Sequence, residues 1–277
     1  MNNIDWPTRK GAPAEVQKEE FIAQLEEITE MGMNAVVVQI KPTADSFYPS
    51  EYGPWSEYLT GVQGQDPGYD PLAFMVGEAH KRNLEFHAWV NPYRITMNHT
   101  DLNRLAAGHP ARENPEWTVA YGNQLYFDPG IPAVQQFLIN GVNEIVANYD
   151  VDAIHMDDYF YPYPIAGVPF PDNSSFAEYG EGFSNRADWR RNNVNTLVSS
   201  IQQSIKAEKS HVKFGISLLE FGETQIQTLL ALTPVPAFKT MMIFTPIQDI
   251  GFSMVQLTIL HHRFIGISDL RLLPLMY

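Results

Sequence analysis

VDAIHMDDYFYPYP, residues 151–164, is the stretch around which the rest of the chain is organised. Its first half is a short apolar run, Val151, Ala153, Ile154 and Met156, that reads as a buried strand. A buried helix segment shares that composition, but the acidic end and the proline-punctuated exit favour the strand. The run delivers Asp157 and Asp158 into a loop of Tyr159, Phe160, Tyr161, Pro162, Tyr163 and Pro164. In parallel α/β sheets and barrels, ligands bind at the carboxyl ends of strands. Carboxylates beside aromatic rings suit sugar chemistry. The acids handle protons and the positive charge at the sugar carbon, and the rings stack on pyranose faces. A lone aspartate there would more often cap a helix. The tandem pair, followed by an unbroken aromatic and proline run, favours a site.

Composition narrows the class. The chain has 277 residues, 44% of them hydrophobic, enough for one large domain with a sizeable core. No apolar run is long enough to span a bilayer, and MNNIDWP at the start is not a charged-then-apolar export signal. A net charge of −14 argues against nucleic acid as partner, since phosphate binding needs clustered Lys and Arg. With no Cys, disulfides, thiolate catalysis and Cys-ligated zinc are excluded.

Outward from the central stretch, helix and strand alternate. Residues 15–31, 71–82, 132–149 and 185–208 carry apolar side chains at helical spacing; Asp70-Pro71 supplies a cap and an N1 proline, and Gly32 a C-cap. Residues 34–40 (NAVVVQI), 84–90 (LEFHAWV) and 212–217 (VKFGIS) read as further strands. Two long excursions, 43–70 and 95–130, follow strands, while helix-to-strand links are short. That alternation predicts a parallel sheet, and the asymmetry of loop length predicts a (β/α)8 TIM-barrel-like fold with one loaded face.

Side chains alternate across a strand. Gln39 and Lys41 are therefore expected on one face, His87, Trp89 and Asn91 on the next strand's, and His155 and Asp157 on the third's. If these faces point inward, His, Asn, Gln, Lys and Asp converge at one rim. His87 and His155 read equally well as hydrogen-bonded core histidines. Together with Asp157 they have the chemistry of metal ligands, but no compact His-x-x-x-His spacing supports that, so no metal and no cofactor is assigned.

The motifs resemble the glycosyl-hydrolase-like 10 family of bacterial envelope proteins. They are NIDWP (3–7), QIKPTADSFYPSEYGPWSEYLTG (39–61), DPGYDPL (66–72), EFHAWVNPYR (85–94), NPEW (114–117), DPG (128–130), DAIHMDDYFYP (152–162) and KFGIS (213–217). The resemblance implies a TIM-like barrel over 3–217 that hydrolyses glycosidic bonds in a polysaccharide, with peptidoglycan glycan strands as a candidate substrate. It also implies export, often as a lipoprotein. Joined to the strand geometry, it makes Asp157 the first candidate acid and Asp158 the reserve. Tyr48, Trp55, Tyr93 and Tyr159 are candidate sugar platforms, although any of them also suits core or loop packing. Gln39, Lys41, His87, Asn91, Arg94 and His155 are candidate substrate-binding or acid-orienting groups, and Arg94 is an alternative structural partner of Asp157 or Asp158. Glycoside hydrolysis normally takes two carboxyl groups. Glu51 and Glu57 are weak local candidates for the second, more readily read as solvated loop charges. Two other readings stay open: a carbohydrate-binding wall protein without turnover, and an inactive gene product. Asn98-His99-Thr100 is read as a chance sequon.

The ends depart from the family. The family's strand before NIDWP is expected to be missing. After Ser217 the family's Pro-Phe-Gly-Val-Trp-Arg is replaced by Leu218-Leu219-Glu220-Phe221-Gly222-Glu223. Loss of one C from codons for the family's run yields those residues. The same shift applied to 238–244 permits Gln-Asn-Tyr-Asp-Asp-Leu, and applied to 253–266 it permits a strand-like His-Gly-Thr-Ile-Asp-Tyr-Ile-Ala-Pro-Gln-Val-Tyr-Trp. Residues 218–277 are therefore expected to be translated out of frame, His261-His262 to be no metal site, and the chain to carry about four of eight barrel strands and to fold poorly.

Overall fold

The computed structural model describes residues 6–157 and 160–216. Helix α1 spans Ala14–Glu30 and strand β1 Ala35–Lys41; a single turn, α2, Glu57–Thr60, precedes helix α3, Pro71–Lys81, and strand β2, Glu85–Val90. Next come the short helix α4, Pro110–Glu113, and strands β3, Thr118–Tyr121, and β4, Gln124–Phe127. Helix α5, Pro132–Asn148, strand β5, Ala153–Met156, helices α6, Asn173–Tyr179, and α7, Arg186–Glu208, and strand β6, Lys213–Ile216, follow.

Local chemistry sets the helix ends. Asp70 accepts from the Ala73 amide at 3.0 Å, with Pro71 at the first helical position of α3. Asn185 does the same for Asp188 at 2.9 Å in α7. Gly32, at φ 73°, ends α1 in the left-handed conformation that favours glycine.

Strands β1, β2, β5 and β6 form one parallel sheet in chain order, as the alternating pattern predicts. One face is greasy. Ile40, Phe86, Ala88, Val90, Ile154, Met156 and Phe214 share a core with Phe21 and Leu25 of α1, Leu72 and Met75 of α3, Val142 and Ile145 of α5, and Ile201 and Ile205 of α7. Each fully buried large side chain of this kind contributes about 1.5–3 kcal/mol. The opposite face is polar and layered. Val37, His87, Ala153 and Lys213 are register partners in one layer, and Gln39, Trp89, His155 and Gly215 form the next. Parallel partners point to the same side, so the layers lead up to Asn91 and Asp157, just past the ends of β2 and β5.

Two expectations need correcting. Gln39 and Lys41 do not share a face. The register slips between them, so Gln39 pairs with Trp89 and Lys41 with Val90, a residue of the greasy face. A bulge adds one residue to a strand and turns everything after it over. The excursion 95–130 is not all loop either; it holds α4 and the antiparallel hairpin of β3 and β4. The hairpin turns at Gly122-Asn123, with Gly122 at φ 60°, as a tight turn with glycine first requires.

Candidate active site

The site is built on the tips of β1, β2 and β5. Gln39 Nε2 donates to Asn91 Oδ1 at 2.7 Å, and Asn91 Nδ2 donates to Asp157 Oδ2 at 3.0 Å. All three side chains are buried. The carboxylate is thus held by a ladder that crosses three strands, and it cannot rotate without breaking a buried hydrogen bond. One layer below, His155 packs edge-on to Trp89, ring centroids 6.3 Å apart. Burial, with a smaller effect from His87, lowers the His155 pKa to about 4, so the ring is neutral at neutral pH.

Beside this tip lies a cleft of about 250 Å³. Asn91, Pro92, Tyr93 and Arg94 form one wall, Tyr121, Gly122, Asn123, Gln124 and Tyr126 of the hairpin a second, and Pro162, Tyr163 and Ile165 a third. Asp157 sits behind Asn91 rather than on the cleft surface. Among the described lining residues Arg94 carries the charge. Its Nε and Nη2 both donate to the Pro42 carbonyl, at 3.0 and 2.9 Å, which ties the loop after β2 to the end of β1. Tyr93 is fully buried, and burial raises its pKa well above the ordinary tyrosine value, so it stays a neutral phenol. Tyr163 is exposed and offers a ring to solvent.

The loop that leaves Asp157 is anchored from outside. Tyr121 Oη accepts from the Ile165 amide at 2.7 Å and donates to the Val168 carbonyl at 3.1 Å. Tyr121, Tyr126 and Phe170 form a second hydrophobic cluster against which Tyr161 packs. Arg190 grips Asp172 through Nε and Nη2, both at 2.6 Å, and lies over the rings of Tyr161 and Phe170 at 5.4 and 5.8 Å. The DPG motif serves the same end. Asp128 accepts from the Ser175 hydroxyl at 2.6 Å and the Gly130 amide at 2.9 Å, and Trp189 lies where any Cβ on Gly130 would stand.

The remaining sequence candidates divide. Asn91, Tyr93 and Arg94 line the cleft, with Gln39 directly behind Asn91. His155 is a layer down. His87 is at the far end of the same face, hydrogen-bonded to Glu85 at 3.0 Å, and so does not reach the rim as expected. Lys41, turned over by the bulge, is buried under the loop after β1, donating to Ser46 Oγ at 2.7 Å and the Tyr52 carbonyl at 3.2 Å; burial lowers its pKa to about 8. Tyr48 is no sugar platform: it is fully buried, edge-on to Tyr149 at 5.6 Å. Trp55 is half-buried against the main core, bridged to Ser46, and away from the cleft. Glu51 lies on another surface beside Glu144, which accepts from its amide at 2.7 Å, and Glu57 pairs with Lys10. Asp158 and Tyr159 lie outside the described residues, as do 218–277. Sequence reading missed Tyr121, Asn123, Gln124 and Tyr126. Their signal was present: Gly-Asn between TVAY and QLYF is a two-residue hairpin pattern.

A parallel α/β sheet presents its functional side chains at the carboxyl ends of its strands, and here a buried carboxylate stands at such a tip beside an aromatic cleft. The glycosyl hydrolase-like 10 profile matches residues 1–231, and the chain belongs to that family. It is 67% identical to glycosyl hydrolase YngK of Bacillus subtilis (strain 168) over 216 residues, which is 78% of this chain and 42% of that protein. It is 38% identical to glycosyl hydrolase DigH of Escherichia coli (strain K12) over 232 residues, 78% of this chain and 53% of that one. The chain thus spans about half the length of these relatives. Among solved structures it resembles an alpha-L-fucosidase isoenzyme 2 from Paenibacillus thiaminolyticus, with a TM-score of 0.54 at 15% identity over 82% of this chain and 34% of that one, a likeness of fold alone. Among the described residues no helix is long and apolar enough to cross a membrane.

Proposed function

We propose that this protein is a glycoside hydrolase acting on a bacterial cell-wall polysaccharide, with peptidoglycan glycan strands the first substrate to try, and that Asp157 is its reactive carboxylate. The observation that carries the reading is the Gln39–Asn91–Asp157 ladder at the edge of an aromatic cleft. A carboxylate fixed by a neighbouring amide next to a cleft is one of the two carboxyl groups that cleavage of a glycosidic bond takes. Of the cleft's tyrosines the exposed Tyr163 supplies a ring face for a pyranose, and Asn123, Gln124 and Arg94 supply hydrogen bonds to hydroxyls. Family membership supports hydrolysis over mere binding. The second carboxyl group is not among the cleft's described residues. Four parallel strands in chain order, with their helices on one face, agree with part of a (β/α)8 barrel.

For the tail we propose that residues 218–277 are translated out of frame, a reading carried by the codon arithmetic alone; the family match runs on to residue 231, past the proposed slip. Sequencing the locus tests it: one uninterrupted family-like frame, with no single-base slip near the Ser217 codon, refutes it.

The hydrolase reading is tested in frame-restored protein with purified glycan strands and a panel of other polysaccharides, following soluble fragments by mass spectrometry. The expected result is release by the parent and a loss of about 10²–10⁴-fold in Asp157→Ala. A non-catalytic binder gives no release from the parent and only altered affinity in the variant.

A further inference from the structure

We propose that Gln39 is a positioning residue: it orients the Asn91 amide so that Asn91 donates to Asp157, which keeps Asp157 an ionised carboxylate and leaves protonation of the leaving group to a different acid. The inference rests on the reading of Asp157 as the reactive carboxylate and adds its chemical role.

The argument starts from what an amide can do. Asn91 has one acceptor end and one donor end. Its oxygen faces Gln39 Nε2 at 2.7 Å, so its nitrogen faces Asp157 Oδ2, at 3.0 Å. The reverse ladder is equally connected: a protonated Asp157 donates to Asn91 Oδ1, and Asn91 Nδ2 donates to Gln39 Oε1. The two ladders therefore correspond to the two protonation states of Asp157 at Oδ2, and the environment of Gln39 biases the balance between them. In the observed one, Gln39 Oε1 is buried without a hydrogen-bond partner among the described residues. Reversal would put the Gln39 NH2, with two donors, in that dry place. An under-satisfied carbonyl is tolerated better than orphaned N–H groups. Gln39 thus favours the ladder in which Asp157 is ionised, and a donor to the charged form holds it charged. An ionised carboxylate acts as nucleophile or stabilises the oxocarbenium ion; it has no proton to give in the first step.

The titratable and charged groups on the surrounding elements are His155 on the same strand, His87 and Tyr93 on β2 and its loop, Arg94 beyond them, and Lys41 on β1, turned to the other face. The variants below leave all of these in place.

The test is a carboxyl-carbon NMR titration of the full chain, with Asp157 assigned by loss of its signal in Asp157→Asn. In the parent, Asp157 is expected to be ionised at neutral pH; a midpoint above neutrality overturns the proposal by itself. Gln39→Leu should raise the midpoint by roughly one pH unit, the scale of one hydrogen bond to a charge. Asn91→Leu should raise it at least as far, and adding Gln39→Leu to Asn91→Leu should add nothing. A midpoint unmoved in folded Gln39→Leu, or a Gln39 effect that persists without Asn91, refutes the mechanism. Gln39→Met, closer in volume, replaces the leucine variant if that one does not fold. The readout needs no turnover, so an Asp157→Asn protein that still releases glycan would sink Asp157 as the reactive carboxylate, without touching the hydrolase reading, and leave the titration to stand or fall alone.

Discussion

Replacing Arg190 by methionine tests whether the wall of the site is held from outside. Arg190 joins three things: the Asp172 carboxylate through two bonds of 2.6 Å, the Phe170 carbonyl at 3.3 Å, and the rings of Tyr161 and Phe170 beneath its plane. The Asp172 side chain is fully buried, while that of Arg190 is 31% exposed. Methionine keeps the stem and some of the ring contact but leaves a buried carboxylate with Arg186, at 3.4 Å, as its cationic partner. Breaking a fully buried pair costs about 3–5 kcal/mol. Partial exposure of Arg190 and the presence of Arg186 reduce that to about 2–3 kcal/mol. At about 2–4 °C per kcal/mol for a domain of this size, the melting temperature should fall by about 5–10 °C. Arg190→Lys should recover less than half, because an ammonium neither bonds in a fork nor stacks flat on rings. Differential scanning calorimetry of the three proteins, each with the reading frame restored, reads both effects. A methionine variant within about 0.5 kcal/mol of the parent, or a lysine variant equal to it, refutes the clasp. Glycan binding should weaken in step, since the Tyr161–Phe170 segment backs the loop that carries Tyr163 and Ile165 into the cleft.

Other consequences follow from single contacts. Gly130→Ala places a Cβ 2.2 Å from the Trp189 ring, which is buried, so it should cost about 1–3 kcal/mol in a denaturant melt; Trp189→Phe in the same chain should recover part of that, and simple additivity would refute the clash. Tyr121→Phe removes a hydroxyl that serves both Ile165 and Val168 and should lose about 1–2 kcal/mol, with weaker glycan binding by calorimetric titration; unchanged binding would separate the hairpin from the site. Burial, with a smaller effect from Lys41, lowers the His109 pKa from 6.5 to about 3, while its Nδ1 accepts from the Ala111 amide at 3.1 Å. Between those two values the unfolded chain binds a proton that the folded one refuses, so stability falls as pH falls from 6.5 towards 3. His109→Asn, which keeps a capping acceptor, should flatten that slope by up to about 1.4 kcal/mol per pH unit in melts run across the window; an unchanged slope would refute the assignment.

How far the site could be read from sequence turns on one strand ending. Period-two alternation put His87, Trp89 and Asn91 on one face and His155 with Asp157 on another, and register then made those faces one. The same rule failed at Lys41, because a bulge is a single added residue with no composition of its own: Gln39-Ile40-Lys41 looks like any three residues of a strand. On the alternating reading a lysine joins Gln39, Asn91 and the acid at that rim; in the folded chain Asn91, backed by Gln39, keeps its place there, and the lysine becomes a buried loop anchor. Aromatic residues misled for another reason. Tyr48 and Trp55 lie in a loop rich in Tyr, Trp and Pro, and a ring that packs under a loop has the same composition as one that faces a sugar. The hairpin that does wall the cleft is written plainly in Gly122-Asn123, inside an excursion whose length alone reads as loop. Strand tips were legible because the backbone itself enforces their period; the walls were not, because loops are placed by contacts such as Tyr121 with Ile165, more than forty residues apart in the chain and joined only after folding.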